Sequence, residues 1–378
     1  MPVGMLKNTA YGIALPLAGK RCEWTAERGD ELQKLLHRHR VAGTCIQRFE
    51  RGKLTECHSV GYAVLGSERK PVTAQTVFRT ASVAKMVTAL LVFRLQTLNR
   101  LHVQEEVSDF LGYPMRNPHC PNAPVTLGML LSHTSSIVDS PAYFASFQQP
   151  ADLRNLLEAP EAFLPAVPGT RFRYSNLAAG MIGCMLEKRF GMSLEAIAQQ
   201  ELFEPLGVQA TFDASKVDTA FAADSWRVLP PAKAFDAKKR AEAAKPIAEA
   251  APDRHYLLAS GSLFLTAEAL AKLTLTAWNG ADGFLDAGSV AQMQKPILGW
   301  PQPEVCMRHG MGLFELDDPK VSHRKLWGHQ GFAYGAVNGV FFDADGNGFA
   351  SLNSGCSERR IGHLALVNRD LIRLWMNQ

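Results

Sequence analysis

The sequence predicts an α/β (α+β) fold: one antiparallel sheet built from both chain ends, helices on both of its faces, and an inserted, mainly helical region. Three observations point there. Strand-like runs occupy residues 43–49 and 54–64 near one end and recur between residues 310 and 352 near the other. Helical patterns separated by Pro-rich loops alternate from about residue 100 to about residue 280. Residues 82–98 form a helical run that is apolar nearly all round, and such a helix belongs in the middle of a protein.

The elements follow in order. Residues 25–40 carry Leu32, Leu35 and Leu36 with charges opposite, an amphipathic helix. The first two strands are joined by a short turn at Arg51-Gly52-Lys53. The buried helix is marked by Val83, Met86, Val87, Leu90, Leu91, Phe93, Leu95 and Leu98. Strands are expected at residues 310–316, 325–328, 332–342 and 349–352, then a closing helix over 361–376. The division this implies is an α/β sandwich domain from residues 1–100 and 285–378, with residues 101–284 as an inserted helical domain and the active site at the interface. No internal repeat or long low-complexity linker interrupts the chain.

Composition narrows the function. With 47% hydrophobic and 20% charged residues over 378 positions, the chain is globular rather than disordered. The 40 Lys+Arg nearly cancel the 36 Asp+Glu, which argues against nucleic acid as a partner. The one basic cluster, Lys238-Lys239-Arg240, reads as a solvated helix or loop. Seven scattered cysteines (Cys22, Cys45, Cys57, Cys120, Cys184, Cys306, Cys356) include no CxxC pair, so no zinc ribbon or thioredoxin-type site is indicated. Such thiols fit a reducing compartment or service as small apolar side chains. The apolar stretch at residues 11–18 is short and broken by Pro16, so no export leader is expected. No run reaches the ~20 apolar residues of a membrane span. The location expected is cytoplasmic or not legible from this chain, and extracytoplasmic if a leader has been removed; oligomeric state is not legible.

Several patterns invite chemistry and do not carry it. Asp343-Ala344-Asp345-Gly346-Asn347-Gly348 opens like a calcium loop, but its twelfth position is Ser354 rather than a bidentate Glu, so a hairpin turn is the better account. HExxH, GxSxG, P-loop and GxGxxG patterns are absent. Ser-x-x-Lys occurs three times. Ser67/Lys70 and Ser322/Lys325 lie in charged stretches and read as exposed loop residues. Ser82/Lys85 opens the apolar helix, where the two side chains share a face and the positive helix end sits beside the serine. Lys85 is the only charge between Ser82 and Arg94, and desolvation there lowers its pKa towards a neutral, proton-accepting amine. The plainer reading makes Ser82 a cap and lets Lys85 reach solvent. In Pro168-Gly169-Thr170-Arg171-Phe172-Arg173-Tyr174-Ser175-Asn176, a turn and strand lead into a helix; Tyr174 reads equally as a core residue and Asn176 as an N-cap. In Trp327-Gly328-His329-Gln330-Gly331-Phe332, Gly331 would let a substrate lie against the strand and His329 would present a donor.

Together, Phe78-Arg79-Thr80-Ala81-Ser82-Val83-Ala84-Lys85, Leu130-Leu131-Ser132-His133-Thr134-Ser135-Ser136, the segment ending in Tyr174-Ser175-Asn176, and His329-Gln330-Gly331 resemble the serine β-lactamase-like superfamily. Their order and spacing look most like its class C β-lactamase, DD-peptidase and family VIII esterase branch. Leu202-Phe203-Glu204-Pro205-Leu206-Gly207 and the stretch from Ser260 to Glu268 add to the likeness. The resemblance implies Ser82 as nucleophile, Lys85 and Tyr174 sharing the proton transfers, and Asn176 holding the substrate or ordering the lysine and serine. It implies an oxyanion hole from the backbone N–H groups of Ser82 and Phe332, with no metal or organic cofactor. His329-Gln330-Gly331 stands where class C enzymes usually place Lys-Thr-Gly, so a cation that helps hold the substrate's carboxylate is missing, and Gln330 is expected to narrow the cleft. The implied activity is hydrolysis, through an acyl-enzyme, of D-amino-acid peptides (DD-carboxypeptidase or D-aminopeptidase type) or small esters, with weak or no β-lactam turnover. The alternative is a penicillin-recognising binding module without turnover.

Overall fold

The structure is a computed structural model that describes residues 30–301 and 303–377. The apolar stretch at 11–18, Cys22 and the start of the helix expected from residue 25 lie outside the described residues. Nine strands make the main sheet: β1 (Gly43–Glu50), β2 (Lys53–Val64), β3 (Lys70–Pro71), β4 (Leu298–Gly299), β5 (Met307–His309), β6 (Phe314–Leu316), β7 (Leu326–Ala333), β8 (Ala336–Asp343) and β9 (Gly348–Asn353). Their spatial order is β3-β2-β1-β9-β8-β7-β6-β5-β4, every neighbouring pair antiparallel. The two chain ends therefore meet at β1 and β9, where Cys45 faces Leu352.

Burial on both sides of β8 and β9 follows from helices on both faces. Side chains alternate across the sheet, so Phe341 and Phe349 join one core and Val340, Phe342 and Leu352 the other. Against the first face lie α1 (Glu31–Arg38), through Leu32, Leu35 and Leu36, and the closing helix, residues 366–375, through Leu371 and Ile372. Against the second lies α2 (Ala84–Thr97), whose apolar residues point in every direction and are nearly all buried. That second core runs on without a break into α3 (Asn176–Phe190) and α4 (Ala267–Asn279) of the helical region. The closing helix is numbered α5 (Leu366–Trp375).

Several expectations shift. The run expected as one strand over 332–342 is a hairpin, because Tyr334 (φ 55°) and Gly335 (φ 90°) turn the chain between β7 and β8. Both central residues at positive φ give the twist a tight hairpin needs, and a tyrosine there hides the turn from a sequence reading. Only Phe314–Leu316 of the segment 310–316 is strand, since Gly312 at φ 90° bends the chain ahead of it. The closing helix starts at Leu366, after a small hairpin pairing Arg360–Ile361 with Leu364–Ala365. Lys238, Lys239 and Arg240 lie exposed on the short helix Ala237–Ala243. Asp343 accepts the N–H groups of Asp345 (3.0 Å) and Asn347 (2.9 Å) and the Arg324 guanidinium (2.7 Å), closing the β8–β9 turn. Among the described residues no helix is long and apolar enough to cross a membrane.

Candidate active site

Ser82 sits in a 3-10 turn, Ala81–Val83, that runs directly into α2. Ala81 is buried at φ +53°, a left-handed conformation that costs an L-residue ~1 kcal/mol and bends the chain sharply just before the serine. Lys85, one turn on, is 5% exposed, and its Nζ donates to Ser82 Oγ (3.2 Å), Asn176 Oδ1 (2.9 Å) and the Ser260 carbonyl (2.6 Å). Three acceptors satisfy an ammonium, yet burial dominates: desolvation pulls the amine down to about 7, against the Asp139 carboxylate, which raises it, and with Arg79, which lowers it further. Near neutral pH the amine is therefore divided between its two protonation states.

Asn176 is the first residue of α3, and its neighbour Ser175 is the N-cap, its hydroxyl accepting the Ala178 N–H at 3.0 Å. The N-cap reading of Asn176 is thus corrected: its amide faces Lys85. Asn176 Nδ2 donates to Asp139 Oδ2 (2.8 Å), while Asp139 Oδ1 accepts from Ser175 Oγ (3.0 Å) and the Leu177 N–H (2.9 Å). A carboxylate only accepts, so this contact fixes which way the amide points and turns Oδ1 towards the lysine. The sequence reading did not single out Asp139; a lone loop Asp whose partners are 36 to 38 positions away leaves no local signal. The Ser260 carbonyl also went unnoticed as a partner, although the stretch beginning at Ser260 had been noted.

Tyr174 lies beside both groups. Lys85 Nζ is 5.1 Å from its ring centre, and burial pushes the phenol above its usual range while a hydrogen bond with Ser82 pulls the other way. His133, from the Leu130-to-Ser136 motif, holds this segment. Its ring packs 4.3 Å from that of Tyr174, its carbonyl accepts the Arg173 N–H (2.8 Å), and its Nδ1 accepts the Ser175 N–H (3.3 Å). Burial keeps His133 well below the usual histidine range, which suits a ring nitrogen that must accept.

On β7, His329 departs from expectation. His329 Nδ1 contacts the Gln330 carbonyl at 2.9 Å, and a carbonyl only accepts, so Nδ1 carries the proton and Nε2 keeps a lone pair. Burial, then Lys85 and His309, hold this imidazole down to about 3, so it is neutral and offers an acceptor where a donor had been expected. Gln330 borders the cleft, with its side-chain amide held by neighbouring groups. Its amide donates to the His363 carbonyl and accepts from the Ala365 N–H and Asn368 Nδ2, both at 3.2 Å, tying down the segment before α5. Gly331 has a reason besides substrate approach: a Cβ there would stand 2.5 Å from the Thr80 carbonyl oxygen and 2.8 Å from Ser82 N. The strand packs directly on the serine turn.

Phe332 follows from strand geometry. Its partner Val337 gives its N–H to Asn353 Oδ1 (3.1 Å) and takes Asn353 Nδ2 at its carbonyl, so its polar groups point away from β7. Opposed residues in an antiparallel pair share one state, so the N–H of Phe332 also points out of the β7–β8 ladder. On that side β6 pairs only with residues 326–328, which leaves this edge of β7 open.

A cleft of about 290 Å³ brings Ser82, Tyr174, Asn176, His329 and Phe332 together, with Lys85 buried beneath. One wall is aromatic: Trp300 stacks on His363 (3.7 Å) and stands beside His309, and Phe172, outside the cleft lining, packs on both, stacked on His309 (4.6 Å) and edge-on to Trp300 (4.8 Å). Burial holds His309 down to about 3. Arg360, 3.7 Å above the Phe332 ring, also borders the cleft. The other Ser-x-x-Lys pairs stay outside. Lys70 lies on the exposed edge strand β3. Ser322 is buried rather than exposed as expected, and Lys325 pairs with Glu315 (3.4 Å) and Asp317 (3.6 Å).

Comparison with known proteins gives a consistent picture. The family model for β-lactamase matches residues 30–371. The chain is 24% identical over 322 residues to a probable fimbrial assembly protein FimD, serogroup H1, of Dichelobacter nodosus, covering 84% of this chain and 76% of the relative. It is 30% identical over 183 residues to penicillin-binding protein 4 of Amycolatopsis lactamdurans, 48% of this chain and 46% of that one. Among solved structures, EstCE1, a hydrolase with promiscuous acyltransferase activity, shares the fold with a TM-score of 0.71 at 22% identity, over 95% of this chain and 99% of the other.

Proposed function

The chain belongs to the β-lactamase family, and from that premise we propose that it is a serine hydrolase that passes through an acyl-enzyme on Ser82. The observation that carries the proposal is the buried Lys85 Nζ, 3.2 Å from Ser82 Oγ, with its pKa drawn down to about 7. A neutral amine at that distance takes the serine proton as the oxygen attacks a carbonyl, a role worth ~10²–10⁴-fold in rate. The backbone N–H groups of Ser82 and Phe332 receive the developing oxyanion, each contributing ~3 kcal/mol. The Tyr174 phenol relays the proton to the departing amine or alcohol, and water then attacks the ester on Ser82. Nucleophile, base and oxyanion donors are all protein groups, so the reaction as proposed needs no metal or organic cofactor.

The substrates proposed are D-amino-acid peptides or small esters. The aromatic wall favours an apolar acyl group, and a neutral His329 gives no charge attraction to a β-lactam carboxylate. The test is a panel of p-nitrophenyl esters, D-Ala-D-Ala peptides and a chromogenic cephalosporin, run beside Ser82→Ala. Ester or peptide turnover that vanishes in the variant, with little cephalosporin hydrolysis, is the expected result. Cephalosporin turnover near the diffusion limit would overturn the substrate reading. A permanent penicillin adduct with no turnover of any substrate would point instead to a binding module.

A further inference from the structure

Outside the cleft, two thiols meet on neighbouring strands. In the β1–β2 ladder Cys45 faces Ser59 and Gln47 faces Cys57, so residues 45, 57 and 59 project from the same side of the sheet. The diagonal pair brings Cys45 Sγ to 3.6 Å from Cys57 Sγ, which is van der Waals contact, and Ser59 Oγ lies 3.7 Å from Cys45 Sγ. The two sulfurs differ sharply in access: Cys45 is wholly buried under the helical layer, whereas Cys57 is exposed. An exposed thiol backed by a buried one at contact distance is the arrangement in which the first meets an oxidant and the second resolves the product.

We propose that Cys45 and Cys57 form a reversible cross-strand disulfide, a modification site oxidised by hydroperoxides. Either sulfur can donate in this contact; the shared hydrogen bond holds the exposed thiol down and pushes the buried one up, so the accessible sulfur is the readier of the two to ionise. The Cys57 thiolate attacks the terminal oxygen of the hydroperoxide; an S–O bond forms, the O–O bond breaks and an alcohol or water leaves. The Cys45 sulfur then attacks the sulfur of this sulfenic acid. The S–S bond forms as the S–O bond breaks, and the departing hydroxide leaves as water with the Cys45 proton. Two electrons pass from the thiol pair to the peroxide, and a dithiol reverses the bond by exchange. Moving from contact to a bond of about 2.05 Å asks the two side chains to turn towards each other and the β1–β2 hairpin to draw in, since diagonal neighbours start about 7–8 Å apart.

The test uses the full chain, reduced and then exposed to hydrogen peroxide at pH 7. Remaining thiols are blocked with N-ethylmaleimide in denaturant and read by intact mass and peptide mapping. The expected result is the loss of two hydrogens and two maleimide adducts, a cross-linked peptide pair carrying positions 45 and 57, and full reversal by dithiothreitol. Cys22, Cys120, Cys184, Cys306 and Cys356 serve as internal controls and keep their adducts. In Cys45→Ser, Cys57 is expected to stop at the sulfenic acid and be trapped by dimedone. The proposal fails if both thiols of the unaltered chain remain alkylatable after peroxide, or if Cys57 oxidises while Cys45 still takes maleimide. None of these readouts depends on the hydrolase activity.

Discussion

At the scale of single residues, the site turns on the charge of Lys85. Because its amine is drawn down to about 7, the neutral form accumulates as pH rises, so kcat/KM should climb through about pH 7 and level off above it. Asp139 raises that pKa, so removing its charge should lower it: in Asp139→Asn the acid limb moves to lower pH. The same change loosens Asn176, and the plateau should fall ~10- to 100-fold, as displaced catalytic groups usually cost. A pH–rate profile of the two proteins checks both parts; an unmoved limb would remove Asp139 from the site's electrostatics. Ser82 and Lys85 could be singled out because a lone cation in an otherwise apolar helix is anomalous and three further motifs follow it in order. Asp139 was not, because its meaning resides in contacts across the fold. The direction of the His329 proton was also out of reach, since a carbonyl bonded within the same strand sets it.

At the scale of elements, β7 and the serine turn act as one piece through Gly331. In Gly331→Ala the added carbon would meet the Thr80 oxygen at 2.5 Å, and backbone on both sides has little room to yield. The expected loss is ~1–3 kcal/mol of stability, with a fall in kcat as Ser82 N and Phe332 N separate. Calorimetry beside ester kinetics would test it, and unchanged kcat with lowered Tm would confine Gly331 to packing. The first two strands and the apolar helix were read almost to the residue, because alternation and all-round apolarity are local signals. The β7–β8 turn was missed for the converse reason: Tyr334 adopts a left-handed conformation that its side chain does not advertise.

At the scale of the molecule, the proposed division into residues 1–100 with 285–378 and residues 101–284 is one of topology rather than of separate cores. Phe49 and Val340 of the sheet share one cluster with Leu186 and Leu202 of the helical region. Thermal unfolding followed by far-ultraviolet dichroism and by tryptophan fluorescence should therefore give one coincident transition; two separated midpoints would mean that the layers melt independently. The overall architecture was legible because strands sat at both ends of the chain, whereas their spatial order was not, since pairing partners so distant leave no trace in local composition. That distance has a cost during synthesis. Thr44 bonds to Leu352, 308 positions later, so the inner edge of β1 stays bare on the ribosome until almost the whole chain has emerged. Translation must thus proceed with a sticky, half-made ribbon in the open, and heat or crowding at that stage would reach the nascent chain well before it reached the finished protein.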